Sequence, residues 1–562
     1  MSALNRYTKH FFQLSLLVAM AFSACKKDKL DMNYDNRKVT DPSKGSMVRI
    51  VNLAGYNQVQ ANGDTLTNYV VRDPQGPIAD SYPATKYFRD NGRLGSTWII
   101  QQDLFGKGAL KLLTEDVSFA GRGQPTVFTV TDEQQPVDYY LPTTLLPGQP
   151  AYMKIPRAVS APSDPSKFKI RILNLTSAVR SADQVEDLRV PLSLSWADGT
   201  LVSAKTNNIQ PGQYSDYVEL PYGAIQFKVL TAQGYQVSGA NADVISAVNS
   251  TLVMSPNLTY APIKTFFPGG IYTLVISARQ TAIPYPGSST GESYKVLQNT
   301  FQIINDIADP ANLTYSRLQA VNAMPGMDGV KIRVNGQPLG IAMPYTGHTD
   351  YQSFIIGDYK IEAISASGAK LAETQLKLEA NKNFSLWFYP GVNGSPVIQA
   401  VANDLSGNYF AGGTDDASSA YYKQAFPFNI RFLNFCPDFP YLTVTGNDGA
   451  AFNGLFPVDP NAVNNLMPGV LPINAPYVSM RQESAAYQLM AFRSTPAIIP
   501  GSWAKDISVI TGQNLITRPE LYVRTGLPNH EPGIYTVALV GSTKTNTPAT
   551  QKAKMIILKH NK

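Results

Sequence analysis

Cysteine and histidine are scarce in this chain. Two of its 562 residues are cysteine and four are histidine. Cys25 is assigned a different role below, so no internal disulfide is expected, and Cys436, at the end of an apolar segment, is interpreted as a core residue. His348, His530 and His560 stand isolated, without the close spacing that zinc sites use. The sequence therefore predicts neither a cofactor nor a metal site.

Catalytic motifs are equally sparse. Residues 287–291 have Gly-x-Ser-x-Gly spacing, but Pro284 and Pro286 precede them, whereas a nucleophile elbow needs a strand before it and a helix after it. Adjacent carboxylates occur at residues 115–116, 132–133 and 415–416. Neighbours on a strand face opposite sides, so these pairs are interpreted as solvated turns, with calcium binding in a loop as the alternative. We predict that the chain is not an enzyme.

Charge is low as well. Charged residues make up 16% of the chain, apolar residues make up 44%, and the net charge is +6. This much apolar surface and this little charge are typical of a folded chain rather than a disordered one. No basic stripe interleaved with aromatic residues is present, so nucleic acid is not expected as a partner.

Residues that favour short strands and turns are abundant. The chain has 41 glycines, 40 prolines and 30 tyrosines. Asn-Gly or Asp-Gly turn signals occur at residues 62–63, 198–199, 335–336 and 448–449. This composition predicts an all-β protein of tandem immunoglobulin-like antiparallel sandwiches with little helix.

The N-terminal segment has the order of parts found in an export signal. A basic start precedes an apolar run at residues 11–22, and the small Ser23 and Ala24 precede Cys25. The apolar run is shorter than the ~20 residues that a membrane-spanning helix needs. Residues 1–24 are therefore interpreted as a signal peptide, with a transmembrane anchor or an ordinary secretory leader as the weaker alternatives.

The residues around Cys25 resemble a lipobox. That resemblance implies that the Cys25 thiol receives diacylglycerol and that this residue becomes the mature N-terminus. The charged residues 26–31 are similar to the start of Bacteroidota-type outer-membrane lipoproteins, which implies a lipid anchor in the outer membrane. Display at the cell surface is the expectation, with anchoring in the inner leaflet as the alternative. Residues 25–45 are polar without apolar periodicity and are interpreted as a tether with a reach of ~25 Å.

Three sequence elements recur along the chain. An apolar strand with a closing asparagine occurs at residues 48–53, 170–175, 318–323 and 430–435. Segments of period-two alternation follow at residues 108–112, 223–229, 357–363 and 485–491, and late strands are predicted at residues 270–275, 383–388 and 533–538. The closing asparagine is expected to hydrogen-bond the backbone of the next turn. The order of elements predicts sandwiches at residues 46–157, 165–300, 312–405 and 426–562.

The recurring elements, together with Asn-Asp links at residues 305–306 and 403–404, resemble tandem domains of the exported family of unknown function numbered 4397. The third and fourth units fit best, whereas the first two carry insertions at about 64–98 and 231–265. The resemblance implies an immunoglobulin-like sandwich and no established chemistry.

Aromatic residues supply the candidate ligand site. Tyr82, Tyr87, Phe88 and Trp98 surround a polar insertion in the first unit, where they are expected on loops, and a second group lies at residues 409–410 and 421–422. Tyrosine and tryptophan can stack on sugar rings while their polar tips stay hydrated. Covering the ends of the sandwiches or packing between domains is the alternative role. We hypothesise a surface binding or adhesion protein with a glycan or envelope-protein ligand; the alternative is a structural or assembly component that docks on an outer-membrane transporter or filament.

Overall fold

The computed structural model describes the chain in segments that together contain most of residues 44–562. They are residues 44–66, 69–72, 81–84, 96–118, 121–143, 150–178, 189–234, 236–239, 245–248, 251–254, 263–284, 293–405, 428–452, 458–472, 474–480, 487–521 and 530–562. The chain divides into two compact units, one made of the segments up to residue 155 and one made of the segments from residue 156 onward.

The first unit is a sandwich, hereafter the first sandwich. Its strands are β1 (Gly45–Asn52), β2 (Gln58–Ala61), β3 (Asp64–Thr65), β4 (Tyr69–Arg72), β5 (Ser81–Ala84), β6 (Ser96–Gln101), β7 (Ala109–Glu115), β8 (Val117–Ser118), β9 (Gly121–Arg122), β10 (Thr126–Thr131), β11 (Val137–Leu141) and β12 (Met153–Pro156). One sheet has the order β12-β11-β1-β6 and the other β10-β7-β2-β3. Apolar side chains from both sheets form its core.

The second unit contains three sandwiches. The strands of the second sandwich are β13 (Lys167–Leu175), β14 (Leu192–Ser195), β15 (Gln213–Tyr214), β16 (Val218–Pro221), β17 (Gly223–Ile225), β18 (Lys228–Thr231), β19 (Gln236–Gly239), β20 (Ile245–Val248), β21 (Thr251–Met254), β22 (Lys264–Phe266), β23 (Ile271–Pro284) and β24 (Ser293–Asn305). The long β24 pairs with both β23 and β19, so the two layers are joined in one continuous sheet.

The third and fourth sandwiches are smaller. The strands of the third are β25 (Tyr315–Asn322), β26 (Lys331–Val334), β27 (Gln337–Pro338), β28 (Gln352–Ile355), β29 (Gly357–Ile364), β30 (Lys370–Leu378), β31 (Asn383–Pro390) and β32 (Pro396–Ala402). Those of the fourth are β33 (Phe428–Asn434), β34 (Leu442–Thr445), β35 (Tyr477–Ser479), β36 (Gln488–Thr495), β37 (Ile498–Trp503), β38 (Ile510–Thr511), β39 (Gly533–Val540) and β40 (Lys554–Lys559).

Helical structure in the described segments is limited to short 3₁₀ turns. They are Gln102–Phe105, Ala204–Thr206, Asn447–Gly449, Pro460–Ala462, Gly512–Leu515, Pro519–Leu521 and Ala549–Gln551. The predicted fold class, all-β with tandem sandwiches, is confirmed.

One parallel pair occurs at the same place in each sandwich. The strand with the closing asparagine, hereafter the motif strand, pairs in parallel with a late strand. The pairs are β1 with β11, β13 with β23, β25 with β31, and β33 with β39. The remaining neighbours in these sheets are mostly antiparallel. The motif strand is therefore held between two neighbours, and this position requires apolar side chains on its inner face.

The motif strands of the second unit are buried on both faces. In β33, Ile430 and Phe432 enter the core of the fourth sandwich, while Leu433 belongs to an apolar cluster shared with Val321 and Trp387 of the third sandwich. Because side chains alternate along a strand, one set of side chains packs in the core of the sandwich and the other set packs in the interface with the neighbouring sandwich.

Candidate functional site

A cavity of about 210 Å³, hereafter the junction cavity, lies where the second, third and fourth sandwiches meet. Trp196 and Tyr222 of the second sandwich, Arg317 and Asp350 of the third, and Lys562 beyond the last strand of the fourth belong to its lining. Pockets for drug-sized ligands usually measure about 300–1,000 Å³. The junction cavity therefore has room for one small group, such as a single sugar ring.

Arg317 is placed in the cavity wall by the sheet of the third sandwich. It lies near the start of β25, where its backbone registers with Asn383 of the parallel strand β31. Its Nε donates to Oδ1 of Asn383 at 2.7 Å, and its Nη1 donates to the carbonyl oxygen of Tyr222 at 3.2 Å. The guanidinium carbon lies 5.4 Å from the ring centre of Tyr222 and 4.8 Å from that of Tyr351. The side chain is thus fixed between the second and third sandwiches.

A glycine makes room for this guanidinium. A Cβ atom on Gly223 would lie 1.8 Å from Nη1 of Arg317, well inside van der Waals contact. Gly223 begins β17, directly after Tyr222, whose carbonyl accepts the hydrogen bond from Arg317. The backbone of the second sandwich therefore approaches the arginine closely because this position has no side chain.

Arg317 has an unusual charge environment for a buried cation. The residue is 7% exposed, and no carboxylate in the described segments lies within ion-pair distance of it. Burial lowers the pKa of Arg317, while the two tyrosine rings favour its charged form. Arginine nevertheless remains protonated at neutral pH because its intrinsic pKa is so high. The cavity wall therefore holds a positive charge that the described side chains leave without a counter-charge.

His560 ties the third and fourth sandwiches together beside the cavity. Its Nδ1 lies 3.0 Å from Nε2 of Gln319 and 3.1 Å from the hydroxyl of Tyr351, and its Nε2 lies 2.7 Å from Oγ1 of Thr536. Burial, followed by the positive charge of Arg431, lowers the pKa of His560 well below its ordinary value. A neutral histidine with both ring nitrogens engaged is suited to holding the wall in place.

Lys562 closes another side of the cavity. Its Nζ lies 3.1 Å from Oδ2 of Asp350 and 5.1 Å from the ring centre of Trp196. Trp196 is itself backed by Phe227, with ring centres 5.5 Å apart. An aromatic face, a carboxylate and an ammonium group therefore stand together on a partly exposed part of the lining.

A buried ion cluster lies behind the cavity. Lys559, which lines the cavity, has its Nζ 3.6 Å from Oε2 of Glu531, and Lys228 has its Nζ 2.5 Å from Oε1 of the same carboxylate. Burial alone would raise the pKa of Glu531, but the two ammonium groups outweigh it and hold this pKa at about 2. Glu531 is therefore ionised at neutral pH and connects the second sandwich with the fourth.

Trp98, one of the aromatic residues predicted to form a ligand site in the first unit, is described by the structure. Trp98 lies on β6 opposite Ile50 of β1 and is 1% exposed, so it belongs to the core and not to a loop. Alternation along β6 turns Trp98 and Ile100 inward, which leaves the indole unavailable for stacking on a ligand. Its assignment to a loop site is therefore wrong.

The other predicted site residues are only partly described. Tyr82 lies on β5, where its backbone pairs with Val71 of β4. Cys25, Tyr87 and Phe88, the second aromatic group at residues 409–410 and 421–422, and the Gly-x-Ser-x-Gly segment at residues 287–291 lie outside the described residues.

The structure also describes Cys436 and the carboxylate pair at residues 115–116. Cys436 is fully buried in the core of the fourth sandwich, and burial raises the pKa of its thiol to about 12. Glu115 is buried and its carboxylate lies 3.3 Å from Arg122, whereas the adjacent Asp116 is exposed. The interpretation of this pair as a solvated turn is therefore wrong for Glu115, because β7 places its side chain in the interior, whereas Asp116 lies just beyond the strand.

Sequence reasoning missed the residues of the junction cavity. Trp196, Arg317 and Lys562 are separated by more than a hundred residues from one another, and none belongs to a motif with known chemistry. One signal was present in the third motif copy, which has Gln319 where the other three have arginine. That substitution accompanies the contact between Gln319 and His560 at the cavity.

Neither a membrane-spanning helix nor a grouped metal-ligand set is found in the described residues. Within them, no helix has the length and apolar character needed to cross a bilayer. In the same segments, no three histidine, cysteine, aspartate or glutamate side chains are grouped closely enough to hold a metal ion.

Comparison with known proteins identifies one domain. The model of the family described as "Domain of unknown function (DUF4397)" matches residues 316–409, which span the third sandwich. The resemblance inferred from the sequence is confirmed for this part of the chain. No curated protein shows significant similarity to the chain.

Two solved structures show a distant likeness to the chain. One, described as "Alpha-glucan binding by a streptococcal virulence factor", is 7% identical over 35% of this chain and 86% of that chain, with a TM-score of 0.13. Another, of family 41 carbohydrate-binding modules from streptococcal virulence factors, is 10% identical over 44% of this chain and 97% of that chain, also with a TM-score of 0.13. At such TM-scores neither likeness bears on the function of this chain.

Proposed function

We propose that the chain is an envelope lipoprotein with a binding or adhesion role at the cell surface, that it is not an enzyme, and that the junction cavity is its ligand site. The observation that carries this proposal is the convergence of Arg317, Trp196 and Lys562 from three sandwiches on one cavity. A buried cation that lines a cavity is costly to retain unless something pairs with it. A bound ligand supplies that partner.

The walls of the junction cavity are suited to a preorganised site. An apolar cluster of Ala224, Ile263, Leu405, Tyr477 and Ile534 joins the three sandwiches. Because Arg317 lies on β25 and His560 is held by hydrogen bonds to Gln319 and Thr536, this buried part of the lining loses little conformational entropy when a ligand binds. In this proposal the lipid on Cys25 holds the protein in the outer membrane, and the sandwiches present the cavity to a glycan or to a small group on an envelope protein.

The test is binding of the full-length chain, purified in detergent, to envelope polysaccharides by biolayer interferometry. Trp196→Ala removes the aromatic wall, and we expect it to weaken binding roughly tenfold, the usual contribution of an aromatic contact. Trp503→Ala is the matched control, because Trp503 is an exposed tryptophan on β37 and does not line the cavity. Equal binding by wild type and Trp196→Ala would exclude the cavity as the ligand site.

A structural or assembly role is the second candidate, and the edge strand β37 favours it. This strand ends a sheet of order β34-β36-β37 and exposes Ile498 at 63%, Ile499 at 49% and Trp503 at 42%. An apolar edge strand of this kind can pair with a strand of another protein, such as an outer-membrane transporter or filament. If Trp503→Ala abolishes capture of envelope proteins while Trp196→Ala changes no binding, this second role replaces the first.

A further inference from the structure

We infer that the ligand group of the junction cavity is a carboxylate carried on a single sugar ring, that is, a uronic-acid-type residue. The inference rests on the proposed function, since it names the ligand class of the same site.

Arg317 keeps unused hydrogen-bond donors at the cavity. Its Nε and Nη1 donate to Asn383 and Tyr222, while Nη2 has no hydrogen-bond partner among the described residues. A guanidinium has five N–H groups in a rigid planar fork, and a carboxylate accepts two of them side by side. The bonds already made fix the orientation of the fork, so a carboxylate can bind without a further loss of side-chain freedom.

The other cations of the lining already have carboxylate partners. Lys559 lies 3.6 Å from Glu531, and Lys562 lies 3.1 Å from Asp350. Arg317 is thus the lining cation that a ligand would have to neutralise, among the residues described. A singly charged carboxylate balances the charge of one arginine. A doubly charged phosphate monoester would instead bring a surplus negative charge close to Asp350 and Glu531.

The remaining lining suits a sugar ring. The face of Trp196 offers an apolar platform of the kind on which pyranose rings stack, and the oxygens of Asp350 can accept hydrogen bonds from ring hydroxyl groups. Lys562 above the indole can donate to a ring hydroxyl or oxygen. A cavity of about 210 Å³ limits the bound part to one ring, which can be the end of a longer glycan.

The experiment measures the affinity of the full-length chain in detergent for four soluble probes by calorimetry. The probes are glucuronate, galacturonate, glucose and glucose 6-phosphate. We expect at least one uronate to bind roughly tenfold or more tightly than glucose, because a charge-assisted pair with arginine is formed only with the carboxylate. Affinity for the uronate should also fall as salt is raised.

Variants connect this preference to Arg317. Arg317→Met keeps the length of the side chain and removes the charge, and we expect it to weaken uronate binding roughly ten- to a hundredfold while leaving glucose binding little changed. Arg333→Met is the matched control, because Arg333 is an exposed arginine of the same sandwich, on β26, outside the cavity lining. Lys562→Gln, at a half-exposed side chain, is a second cavity variant that leaves the buried arginine intact and is expected to weaken uronate binding severalfold.

The outcomes separate this inference from the proposed function. Equal affinity for glucose and both uronates, tighter binding of glucose 6-phosphate, or uronate affinities weaker than about 10 mM would overturn the carboxylate assignment. If envelope polysaccharide is then still bound and Trp196→Ala still weakens that binding, the cavity remains the ligand site and only the ligand class is wrong. Should Arg317→Met unfold, the salt dependence measured with the wild type decides the point, because uronate affinity that does not fall as salt is raised counts against a charge pair with Arg317.

Discussion

At the level of single residues, the asparagine that closes each motif strand hydrogen-bonds the backbone that follows the strand, as the sequence predicts. Asn434 donates from Nδ2 to the carbonyl oxygens of Phe439 and Leu466, and its Oδ1 accepts from the backbone N–H of Cys436. Asn322 makes the corresponding bonds in the third sandwich, including one from the backbone N–H of Met324 to its Oδ1. A buried asparagine therefore satisfies backbone groups that would otherwise be desolvated without partners.

The second residue of the motif, which is arginine in three copies and glutamine in the other, also has a recurring role. Arg49 pairs with Asp138, Arg171 donates to Thr273, Arg431 donates to Thr536, and Gln319 donates to Ser385. In each case the partner is the residue in register on the parallel late strand. The polar side chain is thus buried because a polar partner faces it across the sheet.

His530 makes the stability of the second unit depend on pH. Its ring stacks on Phe428 with ring centres 3.8 Å apart, and burial lowers its pKa to about 4. In the unfolded chain histidine titrates near 6.5, so the unfolded state binds a proton first as the pH falls. The stability contributed by the neutral ring is therefore complete above pH about 6.5 and is lost as the pH approaches 4, up to about 3 kcal/mol.

We predict that His530→Phe reduces this acid sensitivity. The free energy of unfolding from urea titrations should fall more steeply between pH 7.5 and pH 5 in the wild type than in the variant, because the variant has one less buried group that the unfolded state protonates. Glu531, whose pKa is lowered, stays ionised in the folded state over this range, and its protonation in the unfolded chain is the same in both proteins. An identical pH profile for both proteins would show that His530 does not contribute.

At the level of elements, the motif strands are two-faced, and one prediction separates the faces. Phe432 packs in the core of the fourth sandwich. Phe435, just beyond β33, stacks on Trp387 of the third sandwich, with ring centres 4.8 Å apart. The ring centre of Phe435 also lies 4.5 Å from that of Tyr389. Residues three positions apart thus serve different parts of the unit.

We predict that Phe435→Ala uncouples the third and fourth sandwiches, whereas Phe432→Ala does not. Each substitution should cost about 3–5 kcal/mol, since each removes a buried aromatic ring. In calorimetry, Phe435→Ala should split the joint transition of the two sandwiches into two, because the loss falls on the interface. Phe432→Ala should shift one joint transition to lower temperature. Splitting in both variants, or in neither, would contradict this division of roles.

At the level of the whole molecule, attachment to the membrane depends on one residue in our proposal. We predict that Cys25→Ser prevents incorporation of a radiolabelled fatty acid and moves the protein from the membrane fraction to the soluble or periplasmic fraction, because the thiol is the atom to which lipid is transferred. Cys436→Ser is the control, since Cys436 is buried in the fourth sandwich and should leave labelling unchanged. Label retained by Cys25→Ser would refute the lipid anchor.

The all-β class and the order of the strand segments along the chain follow from the sequence alone, because period-two alternation and turn residues are local properties. The segment at residues 357–363 falls within β29 (Gly357–Ile364), and the segment at residues 383–388 falls within β31 (Asn383–Pro390). The closing asparagines and the family match of the third sandwich were likewise accessible from local patterns.

The tertiary structure decided what each buried face packs against. An apolar strand such as β33 shows in its sequence that both faces avoid water, but not that one face covers a neighbouring sandwich. For the same reason the sequence does not show that the sheet of the first sandwich buries Trp98, and it does not reveal the junction cavity. Trp196, Arg317 and Lys562 come together only because three sandwiches pack at one point, and that packing depends on long-range surface complementarity that no local pattern records.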